Sequence, residues 1–218
     1  MNKLQKTGGI AALYMALAYL VGMAGFLLVV NVSGVDEPTE QVALMAENQV
    51  FLHIMHLAIY VVWAFFLVVL SLALYERLKD GLSAIVQTAT VFGMIWATVI
   101  ISSGMIYIVG LENVVNLYSK DPAQAATIWM AIDTVSEGLG GSNEILGGIW
   151  TLLLSWAALK SGKLPRLLNY LGIIIGAAGL ASIVPATAEL FIFIYAFAQI
   201  VWFIWLGIVL LRNRKTES

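Results

Sequence analysis

The sequence predicts an all-α, polytopic membrane protein: a single-domain bundle of six transmembrane helices over residues 1–218, with one further helix in the outer interface before the fourth span. Three observations predict it. The chain is 61% hydrophobic and only 11% charged, whereas soluble domains are about half apolar and a quarter charged. Such a chain has too little charge to cover a water-facing surface. Long apolar runs recur six times, and Lys and Arg fall almost entirely on alternate connections between them.

The runs cover roughly 10–31, 50–75, 84–109, 143–159, 167–184 and 189–211. About 20 apolar residues, rising about 1.5 Å each, cross a hydrocarbon core about 30 Å thick. Four runs meet that length, and the fourth and fifth need their flanking residues to complete the crossing. Helices are the expected form, because lipid offers unpaired backbone groups no partner and the runs are too long for barrel strands. Lys3 and Lys6 ahead of the first run imitate the start of a secretory leader. The apolar stretch is longer than a leader needs and no A-x-A-like site closes it, so it reads as a retained helix.

Orientation follows from the cations. Lys3, Lys6, Arg77, Lys79, Lys160, Lys163, Arg166, Arg212, Arg214 and Lys215 fall on one side, and Lys120 alone on the other. Cytoplasmic loops carry the excess of Lys and Arg, which places both termini in the cytoplasm. The outer side is acidic, with Asp36, Glu37, Glu40 and Glu47 in the first connection and Glu112 and Asp121 in the second. In KDPAQAATIWMAIDTVS, Asp121 suits an N-cap and Pro122 the first helical position. A helix over about 122–136 is expected, lying in the interface or leading directly into the fourth span. Gly138, Gly140 and Gly141 then form its break. The chain lacks cysteine, which removes disulfides and thiolate chemistry. No basic stripe with interleaved aromatics suggests nucleic acid.

Ionisable residues inside spans cost roughly 2.5–3.5 kcal/mol on insertion scales and therefore point to function. His53, His56, Glu137, Glu144 and Glu189 all fall toward the outer half of the expected bundle. The stretch FLHIMHLAIYVVW sets His53, His56, Tyr60 and Trp63 at spacings of three, four and three, on one helical face. Two histidines so spaced can reach one metal ion, or they can rest hydrogen-bonded at the lipid boundary beside Asn48 and Gln49.

The stretch SEGLGGSNEILGGIW begins a second polar line. From Glu137, successive steps reach Glu144, Gly148, Thr151 and Ser155, a small or polar stripe suited to face other helices. Two placements of Glu144 stand open. A helix starting near Ser142 puts it in the first turn, where a carboxylate complements the dipole. A helix continuing through 138–141 buries it two turns below Glu137. Glu189, which ends PATAE, also reads as a first-turn carboxylate. Gln199 lies deeper in its run and needs a polar partner, which the stripe can supply. Gly147, Gly148, Gly172, Gly176 and Gly179 are expected to let helix backbones approach closely.

The stretch NEILGGIWTLLLSWAALKSGKLPRLLNYLGIIIGAAGL and the ending QIVWFIWLGIVLL carry a resemblance, through Asn143, Glu144, Gly147, Gly148, Trp150, Pro165, Leu171, Gly172, Gly176, Gly179, Gln199 and Trp202. Together they resemble the bacterial six-helix membrane family called domain of unknown function 4386. The resemblance implies a multi-pass protein of a prokaryotic inner membrane and assigns no activity.

Three functions fit these residues. The first is an outward-facing pocket of His53, His56, Tyr60, Glu137, Asn143, Glu144 and Gln199, binding or transporting a cation, protons or a small polar ligand. The second is a membrane metalloenzyme with a divalent metal, zinc or iron, held by His53, His56 and Glu144, and Glu137 or Glu144 as general base. No H-E-x-x-H or serine elbow marks it. The third is a structural, sensory or accessory protein whose polar residues satisfy one another. Membrane lipid is the expected partner, and a homo-oligomer is compatible with the pattern.

Overall fold

The computed structural model describes residues 3–31, 35, 37–80, 82–141 and 144–212, which form helices and no strand. Helix α1 (Lys3–Gly25) runs into a π-helical turn, Phe26–Val30. Helices α2 (Pro38–Glu47) and α3 (Gln49–His56) follow, and a second π-helical turn, Leu57–Val62, joins α3 to α4 (Trp63–Leu78). Next come α5 (Ser83–Tyr118) and α6 (Pro122–Ser136), which ends in a third π-helical turn, Glu137–Gly141. Helices α7 (Ile145–Ser161), α8 (Arg166–Ala181) and α9 (Ala188–Leu211) complete the order.

Among the described residues, four helices are long and apolar enough to cross a membrane: Lys3–Val30, Gln49–Leu78, Ser83–Tyr118 and Pro185–Leu211. The expected all-helical, membrane-type architecture is therefore present. Large apolar side chains also face outward, Leu28 being 81% exposed, as lipid contact requires. Helices α7 and α8, with 17 and 16 residues, are the shorter pair. Helix α5 has 36 residues, about 54 Å at the helical rise, and outruns its expected end near 109. Its extension keeps Leu111 and Val114 buried, so the apolar face persists while average hydropathy falls.

Helix α6 spans the residues the sequence predicts, for the predicted reason. The Asp121 carboxylate accepts the Gln124 backbone N–H at 3.0 Å, and Pro122 opens the helix. The expected glycine break is at Gly140, whose φ of 176° and ψ of 8° are not helical. Helix α2 lies in the first outer connection, for which the sequence pattern names no helix. Pro38 at its start, Glu40 in its first turn and a fully buried Val42 explain it.

The chain divides into two compact units. The first holds residues 1–17, 65–97 and 143–218, and the second 18–64 and 98–142. The first carries ten of the eleven Lys and Arg residues; the second has Lys120 alone, against eight of the thirteen carboxylates.

In the first unit α7 packs on α8 and α8 on α9. The five expected packing glycines are all buried. Gly148 and Gly179 oppose each other so closely that a Cβ on Gly179 would lie 2.8 Å from Gly148 Cα and 2.7 Å from the Glu144 carbonyl oxygen. Arg77 ties the connections together: its Nε and Nη2 donate to the Lys163 carbonyl at 3.2 and 3.1 Å, and its Nη1 to Gln5 Oε1 at 3.1 Å. In the second unit α2 packs on α6, over a core that includes Val42, Leu52, Leu111, Ala125 and Trp129.

Candidate functional site

His56 closes α3 and is 1% exposed. Its Nδ1 lies 2.8 Å from the Leu52 carbonyl oxygen. A carbonyl only accepts, so this bond assigns a proton to Nδ1, and Nε2 is the nitrogen at which the ring gains or loses its second proton. The imidazole lies nearly parallel to Tyr107, with centroids 3.6 Å apart, and to Tyr60 at 5.3 Å. Phe26 meets it edge-on at 5.8 Å, and Trp129 meets Tyr107 edge-on at 5.0 Å. Tyr60 reaches this place because it stands four residues after His56 on one helix face. Gly104 also helps, since a side chain there would collide with Tyr60.

Asp133 and Glu137 stand beside this aromatic group, close enough for both to act electrostatically on Tyr107. They are four residues apart near the C-terminal end of α6, where the helix dipole is negative. Like charges at that spacing repel. Among the described residues neither forms an ion pair. Burial, and then the Glu137 charge, push the Asp133 carboxyl above its ordinary value. Two acids placed against both the dipole and each other are a local cost that folding alone does not explain. Ser136, adjoining Glu137, is fixed by a buried reciprocal pair: Ser103 Oγ donates to its carbonyl at 2.8 Å, and Ser136 Oγ to the Ser103 carbonyl at 3.2 Å.

Among the described residues all three π-helical turns lie in this unit, and each contains or adjoins a residue of the group. Phe26 begins the first, His56 directly precedes the second, which contains Tyr60, and Glu137 begins the third. Such turns recur at functional sites, because the extra residue re-aims a side chain at the expense of regular hydrogen bonding.

The other sequence candidates are placed differently. His53 is exposed while His56 is buried, so the two do not share an inward face. Among the described residues no three His, Asp or Glu side chains are grouped to hold a metal ion; the set His53, His56 and Glu144 is not assembled. Glu144 is the N-cap residue of α7 and only partly buried, the helix-start placement rather than the buried one. Glu189 is exposed in the first turn of α9. Gln199 is buried in the first unit, where Thr151 Oγ1 donates to its Oε1 at 3.3 Å, the partner the α7 stripe was expected to supply. Asn143 lies outside the described residues. Tyr107, Ser103 and Asp133 were not foreseen. Asp133 had one visible sign, its spacing of four from Glu137.

No curated protein and no solved structure matches the chain. A family model does: the one described as Domain of unknown function (DUF4386) matches residues 10–211, nearly the whole sequence, and the chain belongs to that family.

Proposed function

We propose that this protein is a multi-pass inner-membrane protein of a prokaryote that takes up a proton or small cation at the acid–aromatic group of its second unit. In this reading α7 and α8 complete six spans, α6 lies in the outer interface, and both termini are cytoplasmic. Asp133 and Glu137 receive the cation. His56, whose Nε2 is the ring nitrogen not bonded to Leu52, and Tyr107 are the groups with which it can be exchanged.

The observation that carries the reading is a pair of carboxylates, neither ion-paired among the described residues, that act electrostatically on Tyr107, the ring on which buried His56 stacks. A proton or cation relieves their mutual repulsion and their conflict with the dipole at once. The excess of carboxylates in this unit concentrates cations near it. A metalloenzyme reading lacks a ligand set among the described residues.

Purified protein in vesicles loaded with a pH-sensitive dye tests this. The native protein should dissipate an imposed pH gradient faster than empty vesicles, and an Asp133→Asn/Glu137→Gln variant at least as thermally stable as the native protein should lose most of that excess. A native protein no faster than empty vesicles contradicts proton passage. If K⁺ or Na⁺ uptake is also absent, the reading fails.

A further inference from the structure

The first unit carries its cations at one end. Arg77 ties α4 to Gln5 of α1 and to the α7–α8 turn, and Gly9 of α1 faces Leu211 of α9. The helix ends bearing Lys3, Lys6, Lys160, Lys163, Arg166 and Arg212 therefore lie together. Among the described residues two ion pairs form there, Lys79 with Glu76 and Lys163 with Asp80. Glu144 and Glu189 stand at the starts of α7 and α9, the opposite end. Lys160 and Arg166 are thus exposed and matched by no carboxylate among the described residues.

Each has an exposed aromatic ring one turn further into its helix. Lys160 Nζ lies 5.1 Å from the centroid of Trp156, which is 45% exposed. Tyr170, four residues after Arg166 and so on the same face of α8, is 52% exposed, and Leu167 is 69% exposed. The turn between the two helices is open, since no atom lies within 4 Å of a Cβ built on Gly162. A ligand reaches this corner from outside and needs no cavity.

Exposed Trp and Tyr suit the membrane–water boundary, where one part of the ring meets hydrocarbon and the other meets water. Lys and Arg reach from that level to the headgroups. An unmatched cation beside such a ring, repeated on two packed helices, asks for negative charge at headgroup level with hydrocarbon beneath it. Leu167 supplies the apolar contact that an anion dissolved in water would leave unused. We propose that the α7–α8 corner, through Trp156, Lys160, Arg166 and Tyr170, binds the headgroup of an anionic phospholipid. The site is independent of the acid–aromatic group and rests on α7 and α8 spanning the membrane.

Quenching of Trp156 fluorescence, read as native protein minus W156F, tests it in nanodiscs of zwitterionic lipid with a minor share of phosphatidylglycerol. Bromine is carried on the acyl chains of one lipid or the other. The two cations should enrich the anionic lipid beside Trp156 by at least about fivefold, so brominated phosphatidylglycerol should quench beyond its share. Lys160→Gln/Arg166→Gln should remove that excess, whereas Lys3→Gln/Lys6→Gln, an equal change of charge, should keep most of it. Quenching in proportion to each lipid's share overturns the proposal, and so does an excess lost equally in both double variants. Inorganic phosphate that abolishes the excess, where chloride of equal ionic strength does not, identifies a free-anion site and also overturns it. No quenching by either lipid contradicts the spanning of α7 and α8 itself, and the proposal with it. Should W156F fail to fold, melting decides: phosphatidylglycerol should raise the native Tm but not that of Lys160→Gln/Arg166→Gln, and an equal rise overturns the site.

Discussion

The imidazole of His56 lies almost flat on the phenol ring of Tyr107, with centroids 3.6 Å apart and planes 11° from parallel. This contact joins α3 to α5 and sets a buried imidazole on the ring that Asp133 and Glu137 act on electrostatically.

Truncating either ring should therefore be costly. Tyr107→Ala should destabilise by about 3–5 kcal/mol, the usual cost of deleting a buried aromatic side chain. His53→Ala, three residues from His56 yet exposed, should stay within about 0.5 kcal/mol. Unfolding in mild detergent compares them. Equal losses would mean that the two histidines occupy equivalent places.

Stability should depend on pH through Asp133. Its carboxyl is raised in the folded protein by burial and by Glu137, so the fold binds that proton more tightly than the unfolded chain does. Stability is then highest at low pH. It falls as pH rises from the ordinary carboxylate value, about 3.9, through the raised folded value, and the cost persists above it. Asp133→Asn should flatten that part of the profile and raise Tm at neutral pH. Melting curves across pH would show this, and a native Tm that climbs over the same range would contradict it.

Gly179→Ala should force α7 and α8 apart, because the new methyl meets Gly148 Cα and the Glu144 carbonyl, which cannot rotate away. A loss of about 1–3 kcal/mol is expected for such overpacking. Gly138→Ala, where no atom lies within 4 Å of the added Cβ, should be neutral or slightly stabilising. Thermal shifts of the pair check the contrast.

The chain contains no cysteine, so single introduced cysteines report topology cleanly. In intact cells Lys120→Cys should react with a membrane-impermeant maleimide, and Lys160→Cys only after lysis. The reverse pattern would invert the proposed orientation.

Where the sequence spoke clearly, one local cause was sufficient. Asp121 and Pro122 announce α6 without help from other helices, and the long runs demand spanning helices because lipid forbids alternatives. The candidate site was only half visible. His56, Tyr60 and Glu137 stand out as polar residues in apolar or glycine-rich surroundings. Tyr107 looks like any tyrosine in a hydrophobic helix, and its role depends on a partner about fifty residues away. His53 and His56 look equivalent by spacing, but three residues correspond to about 300° of helical turn at 3.6 residues per turn, enough to separate a buried position from an exposed one. The α2 helix was obscured because its acids suggest a loop, although Pro38 and Glu40 are helix-start residues.

Infrared spectroscopy of the protonated carboxyl band tests the acid–aromatic site most directly, as pH is raised on native protein, Asp133→Asn and Glu137→Gln. The native band should persist above the ordinary carboxylate range, vanish in Asp133→Asn, and titrate at lower pH in Glu137→Gln, where the repelling charge is gone. A native band that disappears within the ordinary range, unaltered by either substitution, would contradict a proton held between these two acids.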